Sequence, residues 1–290
     1  MASLVIIKGL VPLSRIEKLQ LQSDLFWAEK VYGKSQYDVL LMGDSRTYMG
    51  VSPKTLRSRV PHVSIYNFGF SSGRINEQLL REAEKRIQKN GERFLIFSCT
   101  SCNLIDTKNK HFFSIQKPTV FSHIFPLHFI QTKDYLQRMD SGSVALGFLS
   151  QKRKKDEVIC RNALGMYNNS FAKRPFLPSD FEHFVQNLKW CKKNNIKVVA
   201  YRMVSCREMD ELEDKLSGVD WNKIRQAVRR EGFVWLERPP SPLLERIEEH
   251  CWDASHLNAE GAELFSNWLG QELAKLDWFK ENQQTSETEK

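Results

Sequence analysis

The 290-residue sequence contains no apolar run long enough to cross a bilayer, which takes about 20 helical residues. The apolar stretch near its start, Leu4-Val5-Ile6-Ile7, is followed at once by Lys8, and it is too short for the apolar core of a signal peptide. We therefore expect a cytoplasmic protein without a membrane span. Peripheral association with a membrane stays open, as does a place in the cell envelope if residues precede Met1.

Cysteine is scarce, with six in the chain, and no secretory signal accompanies them. Because cytosolic thiols are reduced, we expect no disulfide framework. Cys99 and Cys102 have the spacing of a redox motif, but without a second pair we interpret them as buried thiols at a strand end. Metal-ligand spacing and a phosphate-cradling glycine loop are both missing, so we expect neither a metal nor a cofactor.

Acidic residues do not balance the basic ones, since 43 Lys and Arg against 35 Asp and Glu give a formal charge of +8. The excess is diffuse apart from one cluster, Lys152-Arg153-Lys154-Lys155, which is typical of a solvated loop; contact with an anionic surface or polymer is the alternative. No nucleic-acid reader motif is present, so we expect no nucleic-acid partner.

Short apolar runs alternate with helical patterns, which favours an α/β fold with a doubly wound parallel sheet. Five runs are predicted to be strands: Tyr37 to Met42, Val63 to Tyr66, Phe94 to Cys99, Lys197 to Met203 and Phe233 to Glu237. Amphipathic helices are predicted after Asn76, before Ile196, from Trp221 and from Ala262 to Leu276, with Asn258 as the N-cap of the last.

The pattern of elements divides the chain into three parts. Residues 1–36 are predicted to be an N-terminal extension with one amphipathic helix near Ile16 to Val31, and residues 37–278 the α/β domain. Residues 279–290 form a polar tail that we expect to be disordered. Within the domain, a segment at about 107–178 is rich in aromatic and basic residues, and it is predicted to be a helical insertion at the carboxyl end of the sheet.

Two short motifs lie far apart in this domain. Gly43-Asp44-Ser45 follows the first predicted strand, and Asp253-Ala254-Ser255-His256 precedes the last helix. Ser45, His256 and Asp253 are a nucleophile, a base and an acid to orient that base, the set that acyl transfer through a serine ester needs. Their order and spacing, and the missing Gly-x-Ser-x-Gly elbow, exclude the chymotrypsin, subtilisin and α/β-hydrolase arrangements.

The motifs resemble sequence blocks of the SGNH, or GDSL, hydrolases over roughly residues 37 to 276. Gly43-Asp44-Ser45 is similar to block one, Asn67-Phe68-Gly69 to block two and Asp253-x-x-His256-Leu257-Asn258 to block five. The resemblance implies a three-layer α/β/α fold with a five-stranded parallel sheet in the flavodoxin-like order 2-1-3-4-5. It also implies oxyanion donors at the amides of Ser45 and Gly69. The chain looks particularly like a bacterial branch of unknown function, similar to proteins that acylate cell-envelope polymers.

The third block departs from the family pattern, in which Gly-x-Asn-Asp follows the third strand and its asparagine helps to hold the oxyanion. Here the segment is Ser101-Cys102-Asn103-Leu104. Asn103 is either the third oxyanion donor or a turn asparagine, and losing one side-chain donor costs about 3 kcal/mol of transition-state stabilisation. Asp44 is interpreted as structural. Arg46 is interpreted either as a local salt-bridge partner or as a contact for an anionic group of the substrate.

The leading hypothesis is a serine-dependent esterase or O-acyltransferase that works through an acyl-enzyme on a small ester or an acylated carbohydrate, such as an envelope polymer. The triad does not separate hydrolysis from transfer, because the two differ only in which nucleophile reaches the acyl-enzyme. The alternative is a catalytically weak or inactive module of the same fold that binds an anionic glycan, a lipid headgroup or a partner through its insertion. The oligomeric state is not predicted.

Overall fold

Five short, largely apolar strands form one sheet, and nearly all their residues are buried, so helices must cover both faces. The computed structural model describes residues 27–28, 30–107 and 155–284. The strands are β1 (Val39–Gly43), β2 (Ile65–Gly69), β3 (Phe94–Cys99), β4 (Lys197–Arg202) and β5 (Val234–Leu236). All neighbouring pairs are parallel, in the order β2-β1-β3-β4-β5. The expected fold class and strand order are confirmed.

Helices lie between the strands, as the alternating pattern predicts. They are α1 (Ser45–Gly50), α2 (Pro53–Arg57), α3 (Glu77–Glu84), α4 (Glu157–Lys173), α5 (Pro178–Lys193), α6 (Arg207–Leu216), α7 (Trp221–Arg230), α8 (Ser241–Glu248), α9 (Ala259–Lys275) and α10 (Asp277–Gln284). Asn258 caps α9 by accepting the Gly261 amide at 3.0 Å, as predicted.

Alternate residues of each strand feed two separate cores. Leu41 packs on one face of the sheet with apolar residues of α2, α6 and α9, whereas Leu40 packs on the other with those of α3, α5 and α7. This alternation is the period-two geometry of a strand. The result is three layers, helices on either side of the sheet, with the carboxyl ends of β1, β2 and β3 side by side at one edge.

Strand β2 differs most from its prediction. The apolar pattern indicates Val63 to Tyr66, but the strand runs from Ile65 to Gly69 and includes Asn67. The sequence pattern places Asn67-Phe68-Gly69 after this strand rather than in it. The strand continues because the Asn67 amide finds hydrogen-bond partners in the interior, which are described with the site below.

The last helix of the described residues extends into the segment predicted as a tail. Helix α10 continues through residues 279–284, and Phe279 is buried, its ring stacked on Phe94 at 4.9 Å between centroids. Burial of the Phe279 side chain therefore orders a segment whose other residues are mostly polar and give no helical pattern. The predicted helix near Ile16 to Val31 lies mostly outside the described residues, as do residues 108–154 of the expected insertion.

Two features relate to the expectations about disulfides and membrane spans: the state of the cysteines and the hydrophobicity of the helices. All six cysteines are free thiols, and five of them are buried, with Cys102 partly exposed. Across residues 27–28, 30–107 and 155–284, the structure has no helix that is both long enough and apolar enough to span a bilayer.

Candidate active site

Ser45 owes its position to the abrupt change from strand β1 to helix α1. Gly43 ends the strand, and a Cβ there would collide with Thr47 Oγ1 in the following helix, so this close connection requires glycine. Ser45 is the first residue of α1, where a backbone amide has no acceptor within the helix. The serine thus stands at the carboxyl edge of the sheet, where ligands of parallel α/β folds bind.

Asp44 holds this connection in place. Its Oδ1 accepts the Arg46 amide at 3.0 Å and caps α1, while its Oδ2 accepts the Thr100 hydroxyl at 2.6 Å. Asp44 therefore links the turns after β1 and β3, a structural role in keeping with the interpretation of its motif.

Ser45, His256 and Asp253 converge although 211 residues separate the serine from the histidine. His256 Nε2 lies 2.8 Å from Ser45 Oγ, and its Nδ1 lies 2.8 Å from Asp253 Oδ2. The His256 side chain is 15% exposed and that of Asp253 8%, so solvent reaches the imidazole while the carboxylate is shielded. The geometry matches what proton transfer from a serine hydroxyl requires.

Asp253 is held as a carboxylate by its surroundings. Its Oδ1 accepts the amides of Ser255 at 2.6 Å and His256 at 2.7 Å. Burial opposes ionisation, but hydrogen bonds from His256 and from these amides outweigh it and keep the pKa of Asp253 below its usual range. An ionised Asp253 attracts the Nδ1–H of the ring, which leaves Nε2 free to accept the Ser45 proton.

The loop that carries the histidine is itself supported. Trp252 stacks on His256 with ring centroids 5.8 Å apart, and its amide donates to the His256 carbonyl at 3.0 Å. Ser255 Oγ lies 2.9 Å from His256 Nδ1 and 3.1 Å from Asp253 Oδ1. Sequence reasoning missed Trp252 and Ser255 as supports, although Trp252 directly precedes the recognised motif and Ser255 is part of it.

Asn67 connects strand β2 to the helix that begins with Ser45. Its Nδ2 donates to the carbonyls of Thr47 and Val51, each at 2.9 Å, and its Oδ1 accepts the Gly69 amide at 3.0 Å. The residue is fully buried. A buried amide with all these partners fixes α1 relative to the end of β2.

Two of the expected oxyanion donors are already engaged. The Gly69 amide points to Asn67 Oδ1, as described above. The Asn103 side chain is fully buried, with its Nδ2 donating to the Ser98 carbonyl at 2.7 Å and its Oδ1 accepting the Thr100 amide at 3.0 Å. These contacts close the turn after β3, so in this structure the Gly69 amide and the Asn103 Nδ2 each already donate to an acceptor other than the Ser45 site.

The turn after β2 supplies an amide that sequence reasoning missed. Ser72 is exposed and has φ +51°, the left-handed region that non-glycine residues seldom adopt. The Phe70 amide donates to the Gly43 carbonyl at 3.1 Å, and Gly73 packs so closely on the same carbonyl that a Cβ there would collide with it. The turn therefore lies against the residue two before Ser45. Across the described part of the chain, neither the Ser72 nor the Ser45 amide has an acceptor.

Arg46 is buried rather than presented to solvent. Its side chain is 1% exposed, and Nη2 lies 2.8 Å from Oε1 of Glu213, which is fully buried. The Tyr167 ring of α4 covers the guanidinium at 5.3 Å. Burial opposes the charge on Arg46, yet Glu213 outweighs it and raises the pKa of Arg46. The geometry corresponds to the local salt-bridge interpretation, and a contact between Arg46 and a substrate would require this pair to open.

Comparison with solved structures finds remote matches. A putative acylhydrolase from Bacteroides fragilis is 11% identical, with a TM-score of 0.42 over 86% of this chain and 94% of that one. A putative platelet activating factor from Streptococcus pneumoniae is 10% identical, with a TM-score of 0.37 over 94% and 98%. No protein-family model and no curated protein matches the sequence. These similarities carry no argument about activity, so the chemistry rests on the site itself.

Residues 27–28, 30–107 and 155–284 contain no group of three His, Cys, Asp or Glu side chains arranged to hold an ion. What these residues do offer is a serine hydroxyl, a histidine and a carboxylate in contact, next to two unengaged amides.

Proposed function

We propose that this protein is a serine-dependent esterase or O-acyltransferase of the SGNH type. One observation carries the proposal: Asp253, His256 and Ser45 form a continuous chain, with 2.8 Å at each contact, at the carboxyl edge of a parallel sheet. A nucleophile, its base and the group that orients the base are thus in the order that covalent acyl transfer uses.

The proposed reaction has two halves. Ser45 Oγ attacks the ester carbonyl while His256 Nε2 takes its proton, and the carbonyl oxygen becomes an oxyanion. When the intermediate collapses, the ester C–O bond breaks and His256 returns the proton to the departing alcohol. Water, or an acceptor hydroxyl, then attacks the acyl-enzyme while His256 takes its proton; the bond between the acyl group and Ser45 Oγ breaks, and His256 returns the proton to Ser45. Asp253 stabilises the imidazolium in both halves.

We assign the oxyanion to the backbone amides of Ser45 and Ser72. Both lack an acceptor within the described residues, and the turn that holds Ser72 packs on Gly43 beside the nucleophile. Two preorganised amides are a sufficient donor set for a tetrahedral intermediate. The left-handed conformation of Ser72 fits this role, because backbone strain concentrates at functional sites.

Fluorophosphonate labelling of the purified protein tests the proposal. We expect the probe to modify Ser45, p-nitrophenyl acetate to be turned over, and both reactions to vanish in Ser45→Ala. Ser58→Ala is the matched control, because its hydroxyl is exposed and only bonds the Thr55 carbonyl. An unlabelled wild-type protein with turnover no higher than Ser45→Ala contradicts the proposal.

The resemblance to envelope-polymer acylating proteins makes an acylated carbohydrate the next substrate to test. Incubating an O-acetylated glycan with and without a second glycan acceptor separates the two reactions. Free acetate identifies a hydrolase, and acetyl groups on the acceptor identify a transferase.

The engaged amides of Gly69 and Asn103 favour a second candidate, a binding module that keeps the fold without efficient chemistry. In that case, isothermal titration detects binding of an anionic glycan that is unchanged in Ser45→Ala, and no turnover accompanies it.

A further inference from the structure

Lys30 is a fully buried lysine in the segment that precedes the predicted domain. Its Nζ donates to the Gly69 carbonyl at 2.5 Å. Three aromatic rings surround the same nitrogen, with centroids 5.4 Å away for Trp27, 5.4 Å for Tyr48 and 5.3 Å for Phe70. These three rings and the carbonyl are called the Lys30 cage below.

The contacts of the cage stabilise a buried amino group. Burial lowers the pKa of Lys30 well below that of an exposed lysine, because hydration of the ammonium is lost. Ring faces attract a cation, and a backbone carbonyl accepts its N–H, so both features compensate for the lost water. The rings also fix one another: Trp27 meets Tyr48 edge-on at 5.3 Å and stacks on Phe70 at 5.9 Å.

Three of the four walls of the cage, all but Trp27, belong to parts of the candidate active site. Tyr48 lies in α1, the helix that begins with Ser45. Gly69 ends β2, and its amide donates to Asn67, whose own amide donates to one carbonyl within α1 and to that of the residue after it. Phe70 opens the turn that presents the Ser72 amide. One amino group thus contacts the supports of the nucleophile and of a proposed oxyanion donor.

We propose that Lys30 is a positioning residue of this site, whose amino group ties α1 and the turn after β2 to the segment preceding β1. Lys30 acts through Tyr48, Gly69 and Phe70. The segment that holds residues 27–28 and 30–32 is therefore part of the catalytic unit, although the sequence pattern assigns it to a separate extension. The inference rests on the proposed function, since it concerns where Ser45 and the Ser72 amide lie.

Lys30→Met tests the role of the amino group while keeping an apolar side chain of similar length. Replacing a buried charge by a hydrophobic residue is often neutral for stability, so we expect a folded protein. We expect kcat for p-nitrophenyl acetate to fall about tenfold with KM within about twofold, because small displacements of reacting groups are costly in rate. Lys34→Met, an exposed lysine of the same segment, is the control and keeps wild-type kcat.

Chemical rescue distinguishes positioning from simple packing. Lys30→Ala removes three carbons and the nitrogen, and n-propylammonium supplies the same atoms. We expect n-propylammonium to raise the melting temperature of Lys30→Ala and to restore its kcat, whereas n-propanol, which lacks the charge, restores neither. Neither compound changes the wild-type protein or Lys34→Met.

The outcomes separate this inference from the function on which it rests. Wild-type kcat in Lys30→Met overturns it, and so does a loss of rate that only follows a loss of folded protein. Equal rescue by n-propanol also overturns it, since packing alone then explains the defect. If fluorophosphonate does not label the wild-type protein, the proposed function fails, and the positioning role of Lys30 fails with it. The shift in melting temperature of Lys30→Ala with n-propylammonium still reports whether the cage binds an ammonium.

Discussion

Asp253 binds both the ring and the backbone of His256. Its Oδ2 lies 2.8 Å from the ring Nδ1, and its Oδ1 accepts the His256 amide at 2.7 Å. The imidazole therefore cannot rotate away from Ser45 without breaking a contact to a carboxylate that is itself fixed to the loop.

Asp253→Asn is expected to lower kcat by about 10³-fold or more, because an amide in this position can favour the wrong tautomer of the histidine. We expect KM for a small ester to change little. Initial rates over a range of p-nitrophenyl acetate concentrations measure both constants. A fall of less than about tenfold in a folded variant would contradict the orienting role.

Acid stability depends on the same carboxylate. The pKa of Asp253 is lowered in the folded state, so its ionised form stabilises the fold above the ordinary aspartate pKa of about 3.9, and that contribution is lost as pH falls through the lowered value. We expect the gap in unfolding free energy between wild type and Asp253→Asn to shrink as pH falls from 7 to 3. Urea unfolding across this range measures it, and a gap independent of pH counts against the assignment.

Asn67→Ala removes the amide that joins β2 to α1. The Thr47 and Val51 carbonyls then lose a partner in the interior, so we expect unfolding free energy to fall by about 2–4 kcal/mol. The rate of fluorophosphonate labelling should fall as well, measured below the melting temperature. Asn222→Ala, an exposed residue of α7, is the control and should change neither quantity.

Arg46→Met leaves Glu213 buried without its nearest cation, and we expect a loss of roughly 3–5 kcal/mol in unfolding free energy. Changing both residues to Met removes both charges, so the double variant should recover a large part of that loss. Denaturant unfolding of the two single variants and the double variant gives the coupling. If the unfolding free energies lost in the two single variants add up in the double variant, Arg46 and Glu213 are not energetically coupled.

Ser72→Gly keeps the proposed amide donor but removes the penalty for a left-handed side-chain residue. We expect stability to rise by about 0.5–1 kcal/mol, with kcat near that of the wild type. Ser72→Val should lower both, because a β-branched residue resists this conformation. Retention of wild-type stability and rate by Ser72→Val would show that the turn tolerates another backbone shape.

Most of the fold can be predicted from the sequence, because the apolar pattern that marks each strand or helix lies within that segment. It does not depend on contacts with residues distant in sequence. Five apolar runs and four of the helical stripes correspond to observed elements, and Ser45, Asp253 and His256 converge where strand ends meet. The acid and base share one short loop, and the serine follows a strand, so each local motif already limits where its side chain can go.

The remaining features depend on contacts that no local pattern encodes. Whether the amides of Gly69 and Asn103 are free is decided by Asn67 Oδ1 and by the turn after β3. Lys30 looks like an ordinary helical lysine until Tyr48 and Phe70, distant in sequence, enclose its nitrogen. Such partners become visible only when separate segments are brought together in three dimensions.

The span of 211 residues between Ser45 and His256 also has a consequence during synthesis on the ribosome. Ser45, the first residue of α1, emerges early, whereas His256 is translated only after β5. In a nascent polypeptide the Ser45 hydroxyl therefore has no imidazole partner for most of translation, and the proposed ester chemistry can begin only once the loop that carries His256 has packed beside α1.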